Sequence, residues 1–282
     1  MSQTPESKLE YLDFQLLQPS PLLKPFIRHY WYFQSRSLLH IYREEYMNPR
    51  GSYGIVFNFG DAVRLGGQMI TDPVFLDGAN TISRAMGFFG NVDMLGIRFH
   101  EGTALPFLGI PLMELRNEIN LLDALDGPSL LRFHAQLQET VSLPARARLL
   151  DNWLLSHLRS SREQSLLVPA SLNLLRKSNG RFPIAELARE FSVSQRQLER
   201  IYLAQVGMSP KQYTQLLRVD SARLALRQMN RKPTAEIATE LGFYDQSHFI
   251  REFSAVIGIS PHTYIKLARS AAGITGSLNF KE

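Results

Sequence analysis

The stretch Ser194 to Tyr213, SQRQLERIYLAQVGMSPKQY, is written a second time as Asp245 to Tyr264, DQSHFIREFSAVIGISPHTY. Laid together, Gln195 pairs with Gln246, Arg200 with Arg251, Ala204 with Ala255, Gly207 with Gly258, Ser209-Pro210 with Ser260-Pro261 and Tyr213 with Tyr264. Apolar positions pair as well: Leu198 with Phe249, Tyr202 with Phe253, Met208 with Ile259. Upstream, Pro183 and Ala185-Glu186-Leu187-Ala188 match Pro233 and Ala235-Glu236-Ile237-Ala238 one position out of step, so the second copy has one extra residue in its turn. One structural unit occurs twice.

Each copy reads as a short helix, a turn, a second helix and a sharp stop. Ile184, Leu187 and Ala188 form a stripe of helical spacing that Phe191-Ser192-Val193 breaks. Ser194 with Gln197 three residues on is a capping-box pattern, in which each side chain satisfies an orphan backbone N–H at the helix start. Asp245 is the corresponding cap in the second copy. Gly207 and Gly258 fit the left-handed residue that closes a helix, and Ser-Pro directly after each fits a cap followed by proline at the first helical position. This is the punctuation of a helix-turn-helix, written twice.

Such a unit acts through the outward face of its second helix. In the first copy Leu198, Ile201 and Tyr202 share the core face, leaving Gln195, Arg196, Glu199 and Arg200 outside. In the second, Phe249, Phe253 and Val256 form the core face, leaving Gln246, Ser247, His248 and Arg251 outside. Arginine bonds a guanine edge at two points, glutamine an adenine edge, and serine or histidine a base or a phosphate. Solvation alone also produces polar outer faces, but two copies in matching phase with an arginine at the same place favour readout. Between the copies, Ser209 to about Met229 reads as one helix of some twenty residues, about 30 Å long. That strut would set two reading helices near one turn of DNA apart, about 34 Å.

Residues 171 to 268 resemble the DNA-binding domain of the AraC/XylS family of transcription regulators, through Ile237-Ala-x-x-Leu-Gly-Phe243, Asp245-Gln-Ser-x-Phe249-x-Arg251-x-Phe253 and Gly258-x-Ser-Pro261-x-x-Tyr264. The resemblance implies a two-lobed, seven-helix module on promoter DNA, with a companion domain and with RNA polymerase as a further partner. By position it assigns base reading to Arg196, Glu199 and Arg200 and to Gln246, Ser247, His248 and Arg251. One departure stands in the first copy, where Ser192 occupies the turn position of Gly242. If that position needs a positive φ, serine costs stability there.

Charge supports the same reading. From Ser171 to Ser270 there are 15 Lys and Arg against 8 Asp and Glu, a local +7, while the rest of the 282-residue chain is close to neutral. A basic surface on the part carrying the motifs is what a phosphate-bearing partner requires. The chain has no cysteine, which excludes disulfides, thiolate metal sites and thiol nucleophiles. It also excludes the alkyl-transfer repair chemistry that some proteins join to such a module. The start, MSQTPESKLE, is no secretory signal, and no apolar run approaches the roughly twenty residues of a membrane span. A cytoplasmic protein without a membrane partner is expected.

From Phe14 to about Asp123 the texture changes to short runs of aromatic and β-branched residues punctuated by turn residues. Phe26–Gln34, Tyr53–Phe59, Asp72–Asp77, Ala85–Phe89 and Val92–Phe99 read as strands, with turns at Asn58–Asp61, Gly66-Gly67 and Gly90-Asn91. An antiparallel sandwich or barrel is expected. Gly96-Ile-Arg-Phe-x-x-Gly102 and Leu108-Gly109-Ile-Pro111 resemble, more loosely, the cupin-like sensor domains of the same family. A metal-binding cupin needs paired histidines, a carboxylate and a third histidine; His29, His40 and His100 lack that spacing. No hydrolase elbow, phosphate loop or dinucleotide glycine pattern occurs, so no enzyme activity and no cofactor is expected.

Pro128–Thr140 and Pro144–Arg159 read as helices, with Leu131, His134 and Leu137 and then Leu149, Leu150, Trp153, Leu154 and Leu158 as stripes that must be buried on something: a second protomer or the chain itself. The resulting plan is α+β: a β-rich sensor domain over 1–125, a helical connector over 126–165 with Ser160–Ser165 as linker, a double helix-turn-helix domain over 166–270, and a loose tail over 271–282. Two functions stay open. One is regulation controlled by a small-molecule effector or partner at the N-terminal domain; the other is an effector-independent regulator whose N-terminal domain only dimerises or binds another protein.

Overall fold

The computed structural model describes residues 11–47, 49, 51–116, 127–158, 167–227 and 234–269. Its N-terminal part is built from nine strands among these residues: β1 (Leu12–Leu17), β2 (Ile27–Ser35), β3 (Leu39–Met47), β4 (Gly54–Asn58), β5 (Val63–Leu65), β6 (Gln68–Ile70), β7 (Val74–Asp77), β8 (Arg84–Gly90) and β9 (Asp93–Phe99). They form two antiparallel sheets, ordered β1-β2-β9-β4-β7 and β3-β8-β5-β6.

Successive side chains on a strand point to opposite faces, and that alternation layers the molecule. Trp31, Phe33, Val56, Phe75 and Met94 face the smaller sheet and meet Leu65, Met86 and Phe88 in one buried cluster. Their neighbours Tyr30, Tyr32, Ile55, Phe57, Val74, Leu76, Leu95 and Ile97 face the other way and join a second cluster with the helices. The five-stranded sheet is therefore the middle of three layers, buried on both faces.

The expected strands lie close to β2, β4, β7, β8 and β9. Four others carry no clear pattern in the sequence. The strands β1, β3 and β6 are sheet edges, with an outer face that water tolerates, so β3 carries Arg43, Glu44 and Glu45 among its residues. The strands β5 and β6 are only three residues each.

The helices are α1 (Leu105–Leu108), a 3-10 turn at Leu112–Leu115, α2 (Gly127–Glu139), α3 (Leu143–His157), α4 (Leu167–Lys177), α5 (Ile184–Glu190), α6 (Gln195–Gln205), α7 (Pro210–Arg227), α8 (Thr234–Glu240), α9 (Gln246–Ile257) and α10 (Pro261–Arg269). The stripes on α2 and α3 are buried within the chain, on the middle sheet. Phe133 packs edge-on against Phe57 and stacks on Trp153, at 5.7 and 5.3 Å between ring centroids. His134 Nε2 lies 2.7 Å from the Asn58 carbonyl, and the Asp151 carboxylate accepts the Tyr30 hydroxyl at 2.7 Å and the Ser20 N–H at 3.0 Å. Leu131 is the stripe residue left outside, 42% exposed.

One apolar cluster continues from the outer face of the middle sheet through α1 and the 3-10 turn to α4, α6 and α7 and on to Phe249, Phe253 and Tyr264. At about 1.5–3 kcal/mol for each large side chain buried, this shared core outweighs local helix propensity in fixing the helical part. The boundaries expected at 125 and 165, the linker Ser160–Ser165 and the tail from 271 lie outside the described residues.

Candidate nucleic-acid interface

The punctuation of the repeat is realised atom by atom. At the start of α6, the Ser194 hydroxyl accepts the Gln197 N–H at 3.2 Å and the Gln197 side chain accepts the Ser194 N–H at 2.9 Å. At the start of α9, the Asp245 carboxylate accepts the His248 N–H at 2.6 Å. Gly207 and Gly258 take φ of 81° and 85° after the two helices, where the left-handed turn costs glycine nothing. Ser209 and Ser260 cap α7 and α10, accepting the Gln212 and Thr263 N–H at 3.2 Å each.

These caps hold both helices by their buried faces. Leu198 and Tyr202 on α6 and Phe249 and Phe253 on α9 are fully buried, with Val256 nearly so and Ile201 half-buried. The opposite faces carry the expected reading residues. Gln195, Arg196, Glu199 and Arg200 are exposed together on α6, and Gln246, Ser247 and Arg251 on α9. Arg196, Arg200 and Arg251 form no ion pair with any described residue, so their guanidinium groups stand ready for an outside acceptor.

His248 is placed differently. Its Nδ1 accepts the Tyr244 N–H at 3.3 Å, its Nε2 lies 3.2 Å from the Glu252 carboxylate, and its ring meets the edge of Phe243. Half-buried, it braces the first turn of α9 against the next. Arg218 on α7 completes this network, reaching Glu252 at 3.2 Å and lying over the Phe243 ring.

Two residues that the pattern does not single out stand beside the second motif. Tyr244, 92% exposed, directly precedes the cap Asp245; Val193 answers to Phe243, so Tyr244 is the extra residue of the second turn and the repeat carries no signal for it. Arg181 donates across the lobes to the Glu240 carbonyl at the end of α8, at 3.2 Å. A cation on the carbonyl end of a helix meets its negative pole.

The N-terminal domain joins this unit at its far side. Glu101, almost fully buried, accepts from Arg28 with both oxygens at 2.9 and 3.0 Å and from Arg176 of α4 at 3.0 Å. Arg176 also donates to the Tyr213 hydroxyl of α7 at 3.1 Å. Burial raises the Tyr213 hydroxyl above its usual range, with the Glu101 charge adding to it, and burial raises Tyr202 to about 12. Arg116 donates to Gln212 at 3.1 Å. Among the described residues no group of three or more His, Asp or Glu stands arranged to hold a metal ion, and no helix is long and apolar enough to cross a membrane.

A helix-turn-helix domain family matches residues 187–267, and a domain family of unknown function, DUF6597, matches residues 15–120. The probable transcriptional regulator LumQ of Photobacterium leiognathi is 26% identical over 145 residues, 51% of this chain and 48% of that one. The arabinose operon regulatory protein of Salmonella typhimurium is 28% identical over 148 residues, 52% and 44% of the two chains. ToxT of Vibrio cholerae, at 11% identity and a TM-score of 0.43, covers 91% of this chain and 98% of its own, a likeness too loose to bear on function. The matches span less than half the length of the two curated relatives.

Fold and motifs together define a double helix-turn-helix protein, with α6 and α9 carried on one core. Its C-terminal part, residues 187–267, is a helix-turn-helix domain similar to those of transcription regulators such as the arabinose operon regulatory proteins.

Proposed function

We propose that the chain is a sequence-specific regulator that reads two successive major-groove segments of promoter DNA, the first with α6 and the second with α9. The observation that carries the reading is geometric: both helices present the polar first turns, Gln195-Arg196 and Gln246-Ser247, to solvent while Tyr202 and Gln205, and Val256 and Ile257, bury one side of their last turns in the protein. Recognition helices of this class contact base edges with their N-terminal residues. The local charge of +7 supplies the attraction to phosphate. Binding of the full chain to duplex DNA, measured against salt, tests this; affinity that is absent at low salt removes the proposal.

Within this proposal the protein works in the cytoplasm with RNA polymerase as a further partner, does no catalysis, and responds through its N-terminal sandwich, likened to the cupin sensors of the family, to a small molecule or a partner. Continuity of the core from the middle sheet to α6 and α9 supports a route from one end to the other. A second reading keeps the regulator and drops the effector, with the N-terminal domain serving as a homodimer or protein contact. It is favoured by the space between the sheets being filled with Trp31, Phe33, Phe75, Phe88 and Met94. A thermal-shift screen separates the two, because an effector at a hundred times its dissociation constant adds about 2.7 kcal/mol of stability.

A further inference from the structure

The N-terminal domain holds the two reading lobes unequally. On the first lobe its contact is broad: Gly102 lies against Val168 and Leu172 of α4, the 3-10 turn lies against the end of α6, and buried Glu101 ties Arg28 to Arg176. At α9 its hold comes from the loop between β7 and β8, whose Ser83 N–H donates to the Val256 carbonyl at 2.7 Å. Val256 is in the last turn of α9, where carbonyls have no partner within the helix. A residue of the sandwich therefore caps the second reading helix.

The loop is stiff at its root. Asn80, buried, donates to Asp77 at 3.0 Å, and the other oxygen of Asp77 takes the Arg98 guanidinium from β9. This chain of hydrogen bonds fixes residues 77–80 to the middle sheet, so the tip that carries Ser83 moves with the sandwich. The 12 residues of α9 make a lever about 18 Å long, with Gln246 and Ser247 at the other end. Packing on α7, through Phe249, Phe253 and the Arg218–Glu252 pair, sets how deep the lever sits.

We infer that Ser83 is a positioning residue for the second reading helix: its backbone N–H sets the tilt of α9 relative to α6 and thereby the spacing between the two DNA segments that one chain reads. This rests on the proposal that α6 and α9 both read DNA. The sandwich, fused to the first lobe and touching the second, acts as a caliper between them.

The test uses the full chain and a duplex selected by it from random DNA, with the spacer between the two segments then lengthened or shortened by one and two base pairs. Ser83→Pro removes the N–H donor; Ser83→Ala keeps it and serves as control. The expected result is that the parent and Ser83→Ala discriminate sharply among spacers, whereas Ser83→Pro loses about five- to tenfold of that discrimination, the worth of one net backbone hydrogen bond. Melting temperature falls by no more than the loss of that one hydrogen bond requires, and affinity for the first segment alone stays unchanged, which a general loss of structure would not allow. If proline at 83 prevents folding, two glycines inserted between Thr81 and Ile82 loosen the same tip. A spacer profile identical to the parent's in the folded variant overturns the inference while the DNA-binding proposal stands; a parent chain that binds no DNA overturns both.

Discussion

Gly207 and Tyr53 meet so closely that a methyl group on Gly207 would overlap the Tyr53 hydroxyl, which itself donates to the Leu112 carbonyl. The matching Gly258 of the second copy has open space at the same position. Identical letters in a repeat thus serve one role twice and a second role once: both close a helix with positive φ, and only Gly207 receives the N-terminal domain.

Gly207→Ala and Gly258→Ala are therefore expected to differ. Each bears the left-handed cost of about 1–2 kcal/mol. Gly207→Ala adds an overpacking cost of about 1–3 kcal/mol. Denaturant unfolding of the two variants checks this, and Tyr53→Phe introduced with Gly207→Ala recovers part of the excess.

Ser192 adopts φ of 53° where Gly242 adopts 75°, so the turn does demand the left-handed region and serine is strained in it. Relieving about 1–2 kcal/mol of left-handed strain against about 0.5–1 kcal/mol of added chain entropy leaves Ser192→Gly more stable by about 1 kcal/mol. A rise in melting temperature is the readout, and an unchanged or lower value contradicts the strain.

The exposed arginines separate readout from attraction. Arg196→Ala or Arg200→Ala is expected to relax base preference at one end of the site by about 1–3 kcal/mol, and Arg251→Ala to act at the other end. Loss of a phosphate contact alone would weaken all sequences alike and lower the salt slope by about one. Selection from random DNA with each variant decides between them.

Glu101→Gln strips the charge partner from Arg28 and Arg176 and should cost about 3 kcal/mol, the lower end for a broken buried pair because Arg176 keeps 40% of its side chain exposed. The exposed pair Arg36–Asp13 is the control: Asp13→Asn should cost under about 1 kcal/mol. Equal effects in chemical unfolding would refute the difference.

His100 adjoins this cluster, and burial first, then the Arg28 charge, holds its imidazole below the ordinary value of 6.5. The unfolded chain then binds a proton that the folded one refuses, so stability present above pH 6.5 declines as pH falls below it. His100→Gln should flatten the acid side of the stability curve and leave neutral pH little changed, as read from melting temperature against pH.

Most of the C-terminal half is legible in the order of its amino acids, since its signals act within a few residues. Ser194 and Gln197 cap one helix start across one turn, Gly207 and Gly258 close helices by their own backbone freedom, and Leu198 with Tyr202 marks the buried stripe. The central strands β2, β4 and β9 are legible for a related reason: buried on both faces, they carry the apolar runs Tyr30–Phe33, Ile55–Phe57 and Met94–Ile97. The edge strands β1 and β3 and the three-residue strands β5 and β6 have no such run and escape a reading of the sequence for that reason.

Local sterics and periodicity thus suffice for the two motifs, the helix ends, the outward arginines and the strained Ser192, each of which is written in the residues that form it. Tertiary packing settles the rest: the stripes of α2 and α3 bury Phe133 and Leu150 inside the chain, His248 turns to Glu252, Tyr53 seats on Gly207 and Ser83 caps α9. Most of these contacts join residues far apart in the chain, and a backbone N–H such as that of Ser83 carries no letter of its own. Which carbonyl it meets is set by how the sandwich packs on the helices, a property of the whole core.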